Sequence, residues 1–240
     1  MRHRNLSKYF VLICCLILVK SYVIYQWKTD LNYRRQVTAV TVPVASLSVC
    51  ASQCAAKAQC VSFFFNIREF LCQTEGRIHL SFDGSDGEPW RYYEIKTQNV
   101  AIKKTVWMST EHNPPHHDRK YAVDGKVVLD RWGWQCSHTQ GEFNPWILVD
   151  LGAIYNPKYV TLFNRIDDQG NRLHDVFVSL GETNTDFPVD CGQYKGPGVN
   201  AEVVHIVCPN NARGRFVKTE IKGPSSTKYL TLCEIRILIS

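Results

Sequence analysis

Cysteine placement constrains this chain more than any other feature. Of ten cysteines, Cys14 and Cys15 lie inside an apolar run near the N-terminus. The other eight are Cys50, Cys54, Cys60, Cys72, Cys136, Cys191, Cys208 and Cys233. An even number in an exported chain implies disulfides, although spacing alone leaves on the order of a hundred pairings open. They fall four early and four late. Two modules, each stapled twice, is the economical arrangement for 240 residues.

Export is the premise of that argument, and the N-terminus supplies it. The basic "MRHRNLSK" precedes the 11-residue apolar run "YFVLICCLILV" (Tyr9 to Val19), which "SYVIYQW" extends past Lys20 to Trp27. The short run suits a signal peptide cleaved after Ser21. The 19 residues from Tyr9 to Trp27 just span a bilayer as a signal anchor. A lysine costs roughly 2.5–3.5 kcal/mol at mid-membrane, but Lys20 lies toward the outer end. Residues 1–30 are therefore a signal peptide or an anchor, and both place the remainder outside the cytosol, secreted or held as a type II membrane protein. The formal charge of +6 is spread among acidic residues and makes no basic stripe, which excludes nucleic acid as a partner.

The first module opens with "VASLSVCASQCAAKAQCVSFFFNIREFLCQT". Small and apolar residues at helical spacing put Cys50 and Cys54 on one helix face. "CVSFFFN" and "LCQT" read as strands. So small a core needs crosslinks. Together with "WRYYEI", residues 38–96 resemble a PAN/apple module, α+β in class. That resemblance implies the nested bonds Cys50–Cys72 and Cys54–Cys60. "DGSDGEP" (Asp83 to Pro89) is a turn-rich loop and "KTQ" (Lys96 to Gln98) the linker.

From Asn99 onward the chain is a series of short strand-like runs: "KVVL", "WILVDL", "YVTLFN", "VFVSL", "EVVHIV", "RFVKTEI" and "LCEIRILI". Gly, Pro, Asn and Asp separate them, as in a β-sandwich or jelly roll. The ordered phrases "NVAIKKT", "YAVDGK", "CSHT", "NPWILVDLG", "VTLFNR" and "YLTLCEIRI" make residues 99–240 resemble the discoidin-like (F5/8 type C) fucose-binding lectins of the fucolectin–tachylectin-4–pentraxin-1 family. The expected architecture is thus mainly β, with a small α+β module ahead of the sandwich. The resemblance also implies the bonds Cys136–Cys233 and Cys191–Cys208.

In that family a histidine in a "CSHT"-type phrase and two arginines in R-x-D-x-x-x-x-R hold the sugar. The matching residues are His138, Arg165 and Arg172, with Asp167 behind Arg165 as a rotamer-fixing carboxylate. The chemistry suits a neutral deoxyhexose, whose hydroxyls accept from a fixed guanidinium fork. Family members carry two adjacent cysteines inside this phrase that pack on the sugar; here Asp168 and Gln169 stand there, which puts the family's preference in doubt. Trp132 and Trp134 precede "CSHT"; stacking on sugar and filling the core both stay open for them. The resemblance further implies a structural Ca2+ held by Tyr121, Asp124, Lys126, Gln135, Cys233 and Glu234, an oxygen-rich set suited to a hard cation.

Other classes are disfavoured. "HNPPHH" (His112 to His117) is too extended for its imidazoles to converge on zinc, though it borders the sugar rim in sequence order. Asp167 and Asp168, flanked by arginines, are held ionised rather than poised as a general acid, so no enzyme is expected. The remaining alternative is a discoidin-like adhesion or membrane- and protein-binding module without a lectin role. The expected partners are fucosylated or related glycans on glycoproteins or microbial surfaces, engaged through several copies, as homo-oligomers or on a membrane.

Overall fold

A computed structural model describes residues 9–10, 25–28, 40–57, 59–76, 89–127, 135–223 and 227–239. Trp132 and Trp134 lie outside the described residues, as do most of the 1–30 segment, Ser21 included, and most of the Asp83–Pro89 loop. The chain divides into two compact units, Met1–Lys96 and Thr97–Ser240.

In the first unit the helix Leu47–Ala55 starts at Ser46, whose hydroxyl accepts from Val49 N at 3.3 Å. This is the side-chain cap that a helix N-terminus needs. Its buried face carries Cys50, Ala51 and Cys54. Two bonds hold that face: Cys50–Cys72 ties it to the strand Leu71–Glu75, and Cys54–Cys60 to the turn ahead of Ser62–Asn66. The sheet is antiparallel, with Ser62–Asn66 between Trp90–Ile95 and Leu71–Glu75. It also takes in Tyr25–Lys28, paired with Trp90–Ile95, upstream of the residue 38 at which the sequence places the module's start. Tyr25 is buried with its ring edge on Phe63, and Phe63 stacks on Tyr93. Among the described residues no helix is long and apolar enough to cross a membrane.

The second unit is a β-sandwich. One antiparallel sheet orders Val189–Tyr194, Val176–Gly181, Gly214–Ile221, Trp146–Tyr155 and Thr105–Met108. The other orders Val203–Val207, Tyr159–Phe163, Glu234–Ile239 and Gln98–Asn99. Alternate residues turn inward, so Val176, Val178 and Leu180 meet Val160, Leu162, Ile235 and Ile237 in one core. Each fully buried branched side chain contributes about 1.5–3 kcal/mol. Of the strand-like runs in the sequence, "KVVL" differs: Lys126 and Val127 are not in a strand, and the rest lies outside the described residues. Thr105–Met108 and Val189–Tyr194 are edge strands that the run pattern passes over. The second is half polar ("VDCGQY"), because one face of this antiparallel sheet is in water and little covers the strand at its edge.

The bonds Cys136–Cys233 and Cys191–Cys208 close this unit. Cys136 and Cys233 flank a two-stranded ribbon of Ser137–His138 against Thr231–Leu232. The bond spans 97 residues, so on the chain-entropy account it stabilises the fold by roughly 4–5 kcal/mol.

Candidate functional site

The segment between strands Tyr159–Phe163 and Val176–Gly181 is anchored by its first residue. Asn164 is buried; its amide donates to Gly170 O and Val199 O, both at 2.8 Å, and its Oδ1 accepts from Arg165 N. Gly170 N donates to Asn200 Oδ1 at 2.8 Å. A Cβ on Gly170 would lie 2.5 Å from both Asn200 N and Val199 C, which only glycine avoids. Gly170→Ala is therefore expected to lower unfolding stability by about 1–3 kcal/mol, as overpacking does, read by chemical denaturation. An unchanged midpoint would contradict the packing described.

On this braced segment Arg165 is locked. Its Nε and Nη2 donate to the two oxygens of Asp167 at 2.7 and 2.6 Å. The pairing holds the Asp167 carboxyl below its ordinary range, which leaves no proton for acid catalysis. The third nitrogen, Nη1, is buried and has no partner among the described residues. Asp168 stands off at 3.9 Å with its side chain 70% exposed, so it does not tie up the guanidinium. Arg172 follows in a single 3-10 turn, Gly170–Arg172, and its guanidinium lies 4.5 Å from the centroid of the Tyr229 ring.

His138 lies on the ribbon and is buried, with Nδ1–H donating to Thr139 O. That tautomer leaves Nε2 as an acceptor. Burial pushes its pKa down to about 4, and the nearby His117, His112 and Arg165 push the same way. Its ring centroid is 4.9 Å from His112, 5.3 Å from His117 and 5.8 Å, edge-on, from Tyr229. Burial also lowers His117, whose Nδ1 bonds to Cys136 O at 3.1 Å. Tyr229 thus meets both His138 and Arg172, His112 and His117 close on His138, and the Arg165 charge is felt at His138. A cis Pro114–Pro115 bond lies between the two histidines. Sequence reasoning missed Tyr229: it opens "YLTLCEIRI", four residues before Cys233, and no local pattern ties it to the histidine strand.

A second cluster adjoins the same disulfide. Glu234 is fully buried; Oε2 accepts from Gly125 N at 3.2 Å, while Oε1 has no partner among the described residues. Burial and the nearby Asp124 carboxyl push the Glu234 acid up to about 8. Tyr121 sits in the 3-10 turn Arg119–Val123, which Asp124 caps. Lys126 is exposed and gives its backbone N–H to Asp124 Oδ1 at 2.8 Å. Gln135 precedes Cys136 and so sits next to Cys233 across the bond. Two adjacent carboxylates, one buried with an orphaned oxygen, suit a hard cation. Among the described residues no three His, Cys, Asp or Glu side chains form a metal set. A cation here would thus rest on those two carboxylates and main-chain carbonyls.

Comparison with known proteins agrees with this architecture. A family model described as NedA-like, galactose-binding domain matches residues 121–219, and the PAN domain model matches residues 24–96. The fucolectin of Anguilla anguilla is 29% identical over 146 residues, covering 58% of this chain and 90% of the relative. Fucolectin-6 of Anguilla japonica is 31% identical over 152 residues, covering 62% and 78%. The solved lectin domain of lectinolysin, complexed with Lewis B antigen, is 28% identical with a TM-score of 0.53, covering 60% of this chain and 97% of that one.

Proposed function

Since the chain belongs to the fucolectin family of F5/8 type C lectins and carries a PAN domain ahead of the lectin domain, we propose that it is an extracellular lectin binding L-fucose or a related terminal sugar through His138, Arg165 and Arg172. The observation that carries this reading is the Arg165 guanidinium. Asp167 fixes two of its nitrogens and leaves Nη1 buried and, among the described residues, unpaired. A buried donor without a partner costs about 1–3 kcal/mol, a cost that an incoming hydroxyl removes. Arg172 supplies the second fork, and His138 Nε2 accepts a hydrogen bond from a sugar hydroxyl. No charge on the ligand is needed. Disulfides persist in oxidising compartments, in keeping with an extracellular setting.

A calcium ion at Asp124 and Glu234, with carbonyls of Tyr121, Lys126, Gln135 and Cys233, would supply positive charge to the buried carboxylate. It would thereby pin the turn to the last strand behind the sugar site. Hydrogen bonds to charged groups contribute roughly 1.5–3 kcal/mol each, so one such site gives micromolar-range affinity at best once ordering costs are met. Display in several copies, by oligomers or by N-terminal anchoring at a membrane, would raise avidity.

A glycan array probed with the whole protein, with and without EDTA, tests the reading. Fucosylated glycans should be retained, and Arg165→Ala should abolish the signal. Binding to anionic liposomes that survives Arg165→Ala, with a blank array, would instead favour a membrane-binding discoidin-like module.

Acid should weaken both binding and fold. The unfolded imidazole protonates below its ordinary 6.5, whereas folded His138 resists until about 4. Stability is therefore full above 6.5 and lost as the pH falls toward 4. His205, also pushed down to about 4 by burial, adds to the same loss of stability. It is not at the site, so sugar affinity isolates His138. Affinity should stay level from pH 7 to about 5 and fall near 4; a decline centred near 6.5 would contradict a buried, neutral His138.

A further inference from the structure

The groups that grip the sugar come from separate segments, and Tyr229 touches two of them. The Arg172 guanidinium lies 4.5 Å from its ring centroid, and the His138 ring meets it edge-on at 5.8 Å. We propose that Tyr229 is a positioning residue that holds Arg172 beside His138 and so sets the spacing of the sugar's hydrogen-bond partners; this rests on the sugar-binding reading above.

Three observations support it. Tyr229 is held by its backbone neighbours on both sides. Lys228 exchanges backbone bonds with Glu142 at 2.9 and 3.0 Å, and Leu230 pairs with Thr139 through its carbonyl and its N–H, both at 3.0 Å. The ring thus projects from a fixed segment rather than a loose loop. Next, Gly141 leaves the space that the phenol end fills: a Cβ there would lie 2.7 Å from both Cζ and the hydroxyl of Tyr229. Gly141 has no positive φ, so it is needed for room and not for conformation. Finally, Arg172 has no carboxylate partner among the described residues, and the tyrosine face is what orders it. An arginine ordered by an aromatic face keeps its N–H groups free for a ligand, whereas a carboxylate would consume them. Asp167 does consume two on Arg165. The two arginines are therefore fixed by different chemistry, and each retains donors.

Tyr229→Phe and Tyr229→Leu in the whole protein separate the possibilities, with L-fucose affinity, melting temperature and the NMR shift of the Arg172 Cδ protons as readouts. The shift reports ring current and needs no sugar. Tyr229→Phe should keep the ring-current shift and bind within about twofold of wild type, since cation–π attraction needs only the ring. Tyr229→Leu should lose the shift and bind about tenfold or more weakly, with the melting temperature little changed. The proposal is overturned if Tyr229→Leu binds as wild type does, or if Tyr229→Phe is impaired equally, which would make the hydroxyl a ligand contact. It is also overturned if wild type shows no ring-current shift on Arg172. Wild type that keeps the shift yet ignores fucose overturns the sugar reading alone, because the contact would then stand without that role.

Discussion

Arg172→Ala is expected to weaken sugar binding by about 10- to 150-fold, the equivalent of one hydrogen-bonded charged group at roughly 1.5–3 kcal/mol, while leaving the melting temperature close to wild type. The difference from Arg165 is physical. Arg172 stacks on Tyr229 and meets no carboxylate among the described residues, so its removal forfeits a contribution of about 0.5–1 kcal/mol to the fold. Arg165→Ala removes the same kind of ligand donor but also leaves Asp167, whose side chain is only 21% exposed, without its bidentate partner. It should lose both affinity and stability. Arg165→Lys retains the charge and loses the fork, so it should rescue stability in part and affinity little. Titration calorimetry together with thermal denaturation of the three variants reads both axes. Equal losses of stability for Arg172→Ala and Arg165→Ala would contradict the distinction.

Calcium should act on the fold more than on the sugar. At a calcium concentration about a hundredfold above the dissociation constant, linkage stabilises the folded state by about 2.7 kcal/mol. In a domain of this size that amounts to a rise in melting temperature on the order of 10 °C. The cause is Glu234, fully buried with one oxygen unpaired among the described residues. Burying a carboxylate with no compensating charge is costly, and a cation removes that cost. EDTA should lower the melting temperature of wild type. Glu234→Gln should abolish the calcium response and, in EDTA, be at least as stable as wild type, because the amide is neutral without having to take up a proton on burial. Persistence of the full calcium shift in Glu234→Gln would place the ion elsewhere.

The fold was largely legible because its signals are local. Alternation in "VFVSL" and "RFVKTEI" puts every second residue in the core, and Cys50 and Cys54 share a helix face by spacing alone. Edge strands were harder, since Val189–Tyr194 has one wet face and a mixed composition. Tyr25–Lys28 was harder still: its apolar residues continue the N-terminal run, and only pairing with Trp90–Ile95 separates them from it. At the site, the two arginines and the aspartate between them stand in one phrase, so the Arg165–Asp167 pair is a short-range matter. His112, His117 and Tyr229 reach His138 across long separations. The ribbon and the Cys136–Cys233 bond that bring Tyr229 there leave no periodic trace. The extended look of "HNPPHH" pointed away from convergence, yet two of its imidazoles close on His138.

The most direct measurement is a titration of free L-fucose into the intact protein, followed by the imidazole resonances of His138. A saturable shift with a dissociation constant somewhere between about ten micromolar and one millimolar is the predicted result, given three directed hydrogen bonds to an uncharged ligand. Resonances that stay put at tens of millimolar fucose, in folded protein with calcium present, would contradict it.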